Sequence, residues 1–479
     1  MKQLKLEPLE LLDLSKCSSV SDIVGAMSRC SFGARMLGEV AATLTEWIAS
    51  GRPPLCIYDG KSDTPLGQLL QSMIRRKWLL GMMTPGEYAR TIAPGGRLLV
   101  VGGFSERDEQ ALFERPEDAI YINAYDLAKP GQVRDGWYPG AVFSDPRFVM
   151  PVLNRVLEDR LGGGKLSKVA GLISDLEQYG GLAAEVAQGA KTFKAMVEDK
   201  DCFVFFTMSG AMTIAKMGLV ICDMIDHGMV QALASTGALM AHGLVESVGL
   251  KHYKYDPSKG DAELAAARLN RVTDTLEPES NLDHIEGVLD DLLNGFEAGQ
   301  PFSPVILNRM IGEDLARKHP NDRGILKSAF QKNVPVMVPA FVDSEIGNDV
   351  HVHNRKRERD GRRQLVMDME LDTRLLVDLA TTHKRAGIFT IGGGVPRNNV
   401  QNVAPLVEIM NERMGWSMPD CKFRYGCRIC PDRMHYGHLS GCTYSEGMSW
   451  RKFDTAGMFA EVHADATQVW PFYVKYVLE

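Results

Sequence analysis

Long apolar runs are missing from this chain. No stretch approaches the roughly 18 continuous apolar residues of a membrane-crossing helix, and the opening MKQLKLEPLELLDLSKC has neither an apolar core nor a small-residue cleavage site. A soluble, cytoplasmic protein without a membrane partner is expected. Cysteine is too sparse for a disulfide framework, with 9 in 479 residues, so reduced thiols are expected. Positive charge is in deficit: 54 Lys and Arg stand against 61 Asp and Glu, a net charge of −7. That balance disfavours nucleic acid and suits cationic partners. The basic run at 355–363, RKRERDGRR, carries two acids and reads as a solvated face. There is no internal repeat, no low-complexity tract and no GxGxxG fingerprint, and the glycines at 162–164 lack the spacing of a P-loop.

What is present is an ordinary globular composition, 45% hydrophobic and 24% charged, enough for one large α/β domain or two smaller ones. Residues 16–50 read as helical from their apolar periodicity. Residues 51–200 mix signals, with strands expected at 97–103 and 119–123 and a loop at 162–164. From residue 201 the alternation becomes regular. Strands are expected at 202–206, 230–234, 335–341, 386–391 and 458–463, with a helix at 217–227. Continuous apolar strands alternating with helices predict an α/β fold on a doubly wound, largely parallel sheet. Ligands of such sheets sit beyond the carboxyl ends of the strands.

Three of those ends run into small-residue turns: Ser209-Gly210-Ala211, Ser235-Thr236-Gly237 and Gly392-Gly393-Gly394. Backbone amides beside small side chains can approach a pyrophosphate, with the hydroxyls of Ser209, Ser235 and Thr236 to help. Tight turns without a ligand are the plainer alternative. The densest chemistry lies at 420–453, where four cysteines and two histidines accompany Glu446, Trp450 and the Arg451-Lys452 pair. Two uses compete there. Cys421, Cys427, Cys430 and Cys442, with His435 and His438, offer zinc ligands, but only one CxxC exists and its partners are irregularly spaced; no metal is expected. In the other use Lys452 is a nucleophile. A lysine amine attacks only when neutral, so its pKa must fall from about 10.4 through burial or a neighbouring cation. Trp450 offers a water-excluding wall, Arg451 the nearest positive charge in sequence, and Glu446 an anchor for a cationic amine.

The run Ser440-Gly441-Cys442-Thr443, followed by Glu446, Ser449, Trp450 and Lys452, resembles the active-site signature of deoxyhypusine synthases of the bacterial and archaeal type. Further matches follow the same order along the chain. Asp22, Met27, Ser31, Phe32, Arg35 and Gly38 resemble the family's amino-terminal helical region, and the turns at 209–212 and 235–238 its cofactor loops. Asn270, Arg271 and Asp274, then Pro339, Phe341, Asp343, Ser344 and Gly347, then the turn at 392–396 and Ala464-Asp465-Ala466 complete the set. The resemblance covers residues 16–50 and 200–479. It implies a Rossmann-like NAD site and an NAD-dependent transfer of an aminobutyl group from the polyamine spermidine, through an imine on the catalytic Lys452, to an acceptor amine. The acceptor implied is one lysine of a translation factor. Homospermidine synthase-like transfer to a free diamine is the alternative, and a non-catalytic NAD-binding subunit a third possibility. By position, Glu446, Trp450, Asn348, Asn398 and His242 are implied to hold the amine. Ser209, Gly210, Ala211, Ser235, Thr236, Gly237, Asp343, Gly393, Asp465 and Ala466 are implied to hold NAD. A homotetramer is implied as well.

The chain departs from that pattern at the site itself. Asn398 stands where animal members carry a histidine, Asn348 and Leu439 where the family has aspartates, His242 where animal members carry an acid, and Arg451 where a glycine is usual. Lost carboxylates weaken recognition of a trication. The expected division is a catalytic domain of 1–50 with 201–479, interrupted by an inserted α/β segment of unassigned role at 51–200.

Overall fold

The computed structural model describes residues 6–90, 96–102, 118–122 and 140–479. Gly103 and Asn123, the last residues of two expected strands, lie outside them. The chain forms two compact units, Leu12–Ala190 with Thr467–Glu479, and Met1–Leu11 with Lys191–Ala466. Among the described residues no helix is long and apolar enough to cross a membrane.

The first of these units holds a five-stranded sheet of β1 (Leu55–Tyr58), β2 (Met82–Met83), β3 (Leu98–Val101), β4 (Ala119–Ile122) and β5 (Ala141–Val142). The order is β2-β1-β3-β4-β5 and every pairing is parallel. Helix Val20–Met27 begins in a capping box of Ser19 and Asp22, and Gly38 of helix Phe32–Ala49 lets the two helices close up. A Cβ there would lie 2.2 Å from the Ser28 nitrogen. Helix Pro146–Leu161 is tied to the same pair, since Arg160 Nε donates to Ser21 Oγ at 2.6 Å. Thr467 Oγ1 accepts from the Ala34 amide at 2.9 Å, and Tyr473 donates to the Val186 carbonyl at 2.7 Å. These contacts draw the boundaries differently from the expected 1–50, 51–200 and 201–479. Residues 12–50 bury their apolar faces within the same unit as residues 51–190.

The second unit is built on β6 (Cys202–Met208), β7 (Ala232–Ser235), β11 (Val336–Met337), β12 (Arg385–Ile391), β13 (Phe423–Ile429) and β14 (Phe453–Val462). A small antiparallel sheet of β8 (Tyr253–Lys254), β9 (Leu269–Val272) and β10 (Thr275–Pro278) accompanies it. All pairings of the larger sheet are parallel, in the order β11-β7-β6-β12-β13-β14. Counted from its first strand this order is 3-2-1-4-5-6, that of doubly wound dinucleotide-binding sheets. The expected α/β class with a largely parallel sheet is therefore the observed one. Both faces of β6 are covered, with Phe203 and Phe205 in one apolar cluster and Phe206 stacked on Phe389 at 5.5 Å. β13 was not anticipated: its residues were read for their cysteines, yet the strand carries Cys427 into the core.

Candidate active site

Reversal of strand order between β6 and β12 opens a crevice at their carboxyl ends, where doubly wound sheets bind ligands. Ser209 follows β6, and the triple glycine follows β12. The Gly393 amide donates to Ser209 Oγ at 2.9 Å. A Cβ on Gly392, whose φ is +74°, would lie 2.5 Å from Ser209 Oγ, and one on Gly393 2.6 Å from the Ser440 Cα. Nothing larger than glycine fits, so backbone amides line this seam. Gly210 is exposed and Ala211 half-buried just beyond it. Ser235, the last residue of β7, is buried and donates to the Thr236 carbonyl at 3.0 Å. Gly237 opens helix Gly237–Ser247, where a Cβ would meet Ser344 Oγ at 2.4 Å. Ser344 caps helix Glu345–Arg359 by accepting from the Gly347 amide at 3.0 Å, with Asp343 exposed beside it. Asp465 and Ala466 follow β14, two strands beyond β12, and Ala466 opens helix Ala466–Leu478. Of the ten residues expected to hold the dinucleotide, Ser235 ends β7 and the others follow carboxyl strand ends of the same sheet. Ser209 touches Gly393.

Lys452 lines a pocket of about 310 Å³ with Arg397, Asn398, Gln401, Cys442, Glu446 and Trp450 among its walls. Helix Gly394–Gln401 supplies Arg397, Asn398 and Gln401. The short helix Tyr444–Ser449, capped by Thr443, which accepts from the Glu446 amide at 3.1 Å, supplies Glu446. Arg451 then adopts a left-handed φ of +58°, turning the chain so that Lys452 leads into β14. Lys452 Nζ donates to Asn398 Oδ1 at 2.9 Å and lies 6.0 Å from the Trp450 ring centre. Burial pushes the Lys452 pKa down and Arg397 pushes it further, against the opposing pull of Cys442 and Glu446; the net direction is down.

Two expectations change here. Arg451 does not supply the neighbouring cation, because its side chain turns outward to Glu408 at 3.0 Å and is 72% exposed. Arg397, 2% exposed, takes that role. Trp450 does not close the pocket within this chain, being 64% exposed. Arg397 is oriented by Nη1 donating to the Cys442 carbonyl at 2.8 Å and by the Tyr444 ring, 5.3 Å from its guanidinium carbon. Arg428 pins the signature loop from beneath, donating to the carbonyls of Ser440 at 2.5 Å and Cys442 at 2.9 Å.

His242 and Asn348 are not walls of this pocket. His242 Nδ1 lies 2.6 Å from Glu277, which also lies 3.2 Å from His252 Nε2. His252 reaches Glu246 at 3.1 Å, and Lys216 pairs with Glu246. Burial alone would raise the Glu277 carboxyl, but His242 and His252 override it and hold it at about 2. Asn348 is exposed next to Asp349, whose carboxyl is pushed up to about 6 by burial and by Glu286 and Glu345. Among the described residues, the ligand atoms of His242, His252 and Glu277 form the one group within 4.8 Å of one another. The cysteines at 421–442 do not form such a group. Burial drives their thiols upward, Cys421 to about 12.

A sequence profile described as deoxyhypusine synthase matches residues 171–477. The chain belongs to the deoxyhypusine synthase family. Over 308 residues it is 29% identical to "Probable deoxyhypusine synthase 2" of Methanosarcina acetivorans, covering 64% of this chain and 86% of that one. Over 310 residues it is 30% identical to the deoxyhypusine synthase-like protein of Chlorobaculum parvum, covering 64% and 85%. Deoxyhypusine synthases are transferases, and the matched region contains Lys452, its pocket and the glycine seam. It leaves residues 1–170 unmatched, the amino-terminal stretch 16–50 among them.

Proposed function

We propose that this protein transfers an aminobutyl group from spermidine to an acceptor amine through an imine on Lys452. The observation that carries the reading is the half-buried Lys452, with its pKa lowered and its Nζ held by Asn398, in a pocket that also presents Glu446 and Trp450.

Within that reading, NAD supplies the means of oxidising the donor amine to an imine and reducing the product. The seam at Ser209, Gly210, Ala211 and Gly393 fits such a group because a Cβ on Gly392 or Gly393 would collide with its neighbours, leaving amides free to face a pyrophosphate. Ser235, Thr236, Gly237, Asp343, Asp465 and Ala466 extend that set. Neutral Lys452 adds to the imine carbon of the donor and expels the smaller amine, keeping the four-carbon unit as its own imine. Asn398 accepts a hydrogen from Nζ and so leaves the nitrogen lone pair free to attack. Glu446 anchors the cationic end of the amine, and Trp450 lies beside it as a cation–π surface. The acceptor amine displaces Lys452 by the same addition and elimination in reverse. The acceptor is a protein lysine, as the family name suggests, or a free diamine. His242 and Asn348, remote from this pocket in one chain, belong to the amine site only if subunits share it, as a homotetramer with interfacial sites allows.

Incubation with NAD and spermidine, then borohydride reduction and peptide mapping, tests the reading. A four-carbon amine adduct on Lys452 is expected. Its absence with both spermidine and putrescine overturns the covalent mechanism and leaves a dinucleotide-binding subunit.

A further inference from the structure

The lining of the Lys452 pocket has a single acid, enough to anchor one end of a donor amine and little to spare for a second cationic ligand. Arg397 faces it as a cation and Lys452 as an amine of lowered pKa, and Glu446 is the acid among its lining residues. Asn398 and Leu439, also in the wall, are neutral. An acceptor that is only a polycation would meet Arg397 with little acid to offset it, because like charges close together in a partly dehydrated space repel strongly.

Arg397 and Gln401 stand four residues apart in helix Gly394–Gln401 and so share one face. They are 2% and 4% exposed, yet Nε and Nη2 of Arg397 and Nε2 of Gln401 have no hydrogen-bond partner. The remaining Arg397 nitrogen is spent on the Cys442 carbonyl. The carboxylate of Glu461 is engaged by Arg428 at 3.3 Å. A buried guanidinium without a counter-charge is strongly unfavourable, and buried donors left unpaired add to the cost. Depressing the Lys452 pKa would account for a cation at 397, but not for a second buried donor group at 401. A planar carboxylate accounts for both, since it accepts two parallel bonds from an arginine fork and still has a lone pair for an amide.

We propose that the acceptor amine brought to Lys452 also carries a carboxylate, seated on Arg397 and Gln401. Its reacting amine is then directed toward Lys452. The inference rests on reading Lys452 as the amine-handling residue, and it narrows the free-amine branch of that reading to amino acids bearing a second amine.

Calorimetric titration of the NAD-loaded full-length protein tests it with two matched pairs, ornithine against putrescine and lysine against cadaverine. The members of each pair differ by one carboxylate. At least one diamino acid is expected to bind about tenfold tighter than its decarboxylated partner, as one charge-assisted pair provides. Arg397→Met should erase that preference while leaving NAD affinity unchanged, and Gln401→Leu should reduce it. Arg397→Lys, which keeps the charge without the fork, should retain part of it and guards against a merely misfolded variant. Equal or undetectable binding within both pairs overturns the proposal. So does an Arg397→Met protein that instead loses NAD, which would assign the guanidinium to a cofactor phosphate. Lys452→Arg separates the two readings: it abolishes the covalent adduct but should keep the carboxylate preference.

Discussion

In the proposed transfer Lys452 reacts only as a free amine, so its neighbours decide how much of it is usable at a given pH. Burial and then Arg397 lower its pKa, and removing the guanidinium should therefore raise it. In Arg397→Met, adduct formation near pH 7.5 should slow, and the rising limb of the pH–rate profile should move to higher pH; an unmoved limb would mean that burial alone does the tuning. Lys452→Arg should abolish transfer yet change the melting temperature little, since a half-exposed substitution of like charge disturbs stability by about 0.5 kcal/mol or less. Much of this site was legible because Glu446, Trp450 and Lys452 fall in one short run. Arg397 was not, since it stands more than fifty residues earlier in sequence and reaches the pocket through the fold. Arg451 misled for the complementary reason: adjacency in sequence says nothing once a left-handed residue turns its side chain outward.

Strand-sized segments were readable wherever apolar residues ran continuously, as in β6 and β12. β13 escaped because Arg424, Tyr425 and Arg428 break its apolar run, although Arg428 is buried and bonded to carbonyls. β11 is shorter than the expected 335–341 because the chain turns from Pro339, which has no amide to continue the ladder. The turns after β6 and β12 were visible as glycine clusters, but their mutual contact was not. That contact makes a testable element. Gly393→Ala would place a carbon 2.6 Å from the Ser440 Cα, a backbone atom that cannot yield cheaply. A loss of about 1–3 kcal/mol in denaturant melts is expected, with weaker dinucleotide binding by fluorescence titration. Full retention of both would show that the seam is slack.

At the scale of the molecule, the expected two-part division placed the N-terminal helices with the wrong partner, because helical periodicity shows that a face is buried without naming what buries it. The buried pair of Glu277 and His252 contributes to how the larger unit responds to pH. Glu277 is held at about 2 despite its burial, so its contribution is present above its unfolded pKa near 4.3 and is lost as pH falls toward 2. His252 is raised by Glu246 and Glu277 against the lowering effect of burial. Its contribution is complete below about 6.5 and disappears as pH climbs through the folded value. Thermal melts against pH should fall on both sides of a mildly acidic maximum. Glu277→Gln should shrink the acid limb, to which Asp199 also contributes, and cost about 3–5 kcal/mol, as breaking one member of a buried ion pair does. The β6–β12 seam also divides the larger sheet into two consecutive stretches of chain, with β7 and β11 on one side and β13 and β14 on the other. The turn at Asp360 and Gly361, between β11 and β12, is exposed. Cleaved there, the protein would yield one fragment carrying Ser209 and another carrying Gly393 and Lys452. Neither alone holds a complete crevice, so recovery of dinucleotide binding on mixing would turn this site into a complementation reporter of its own assembly.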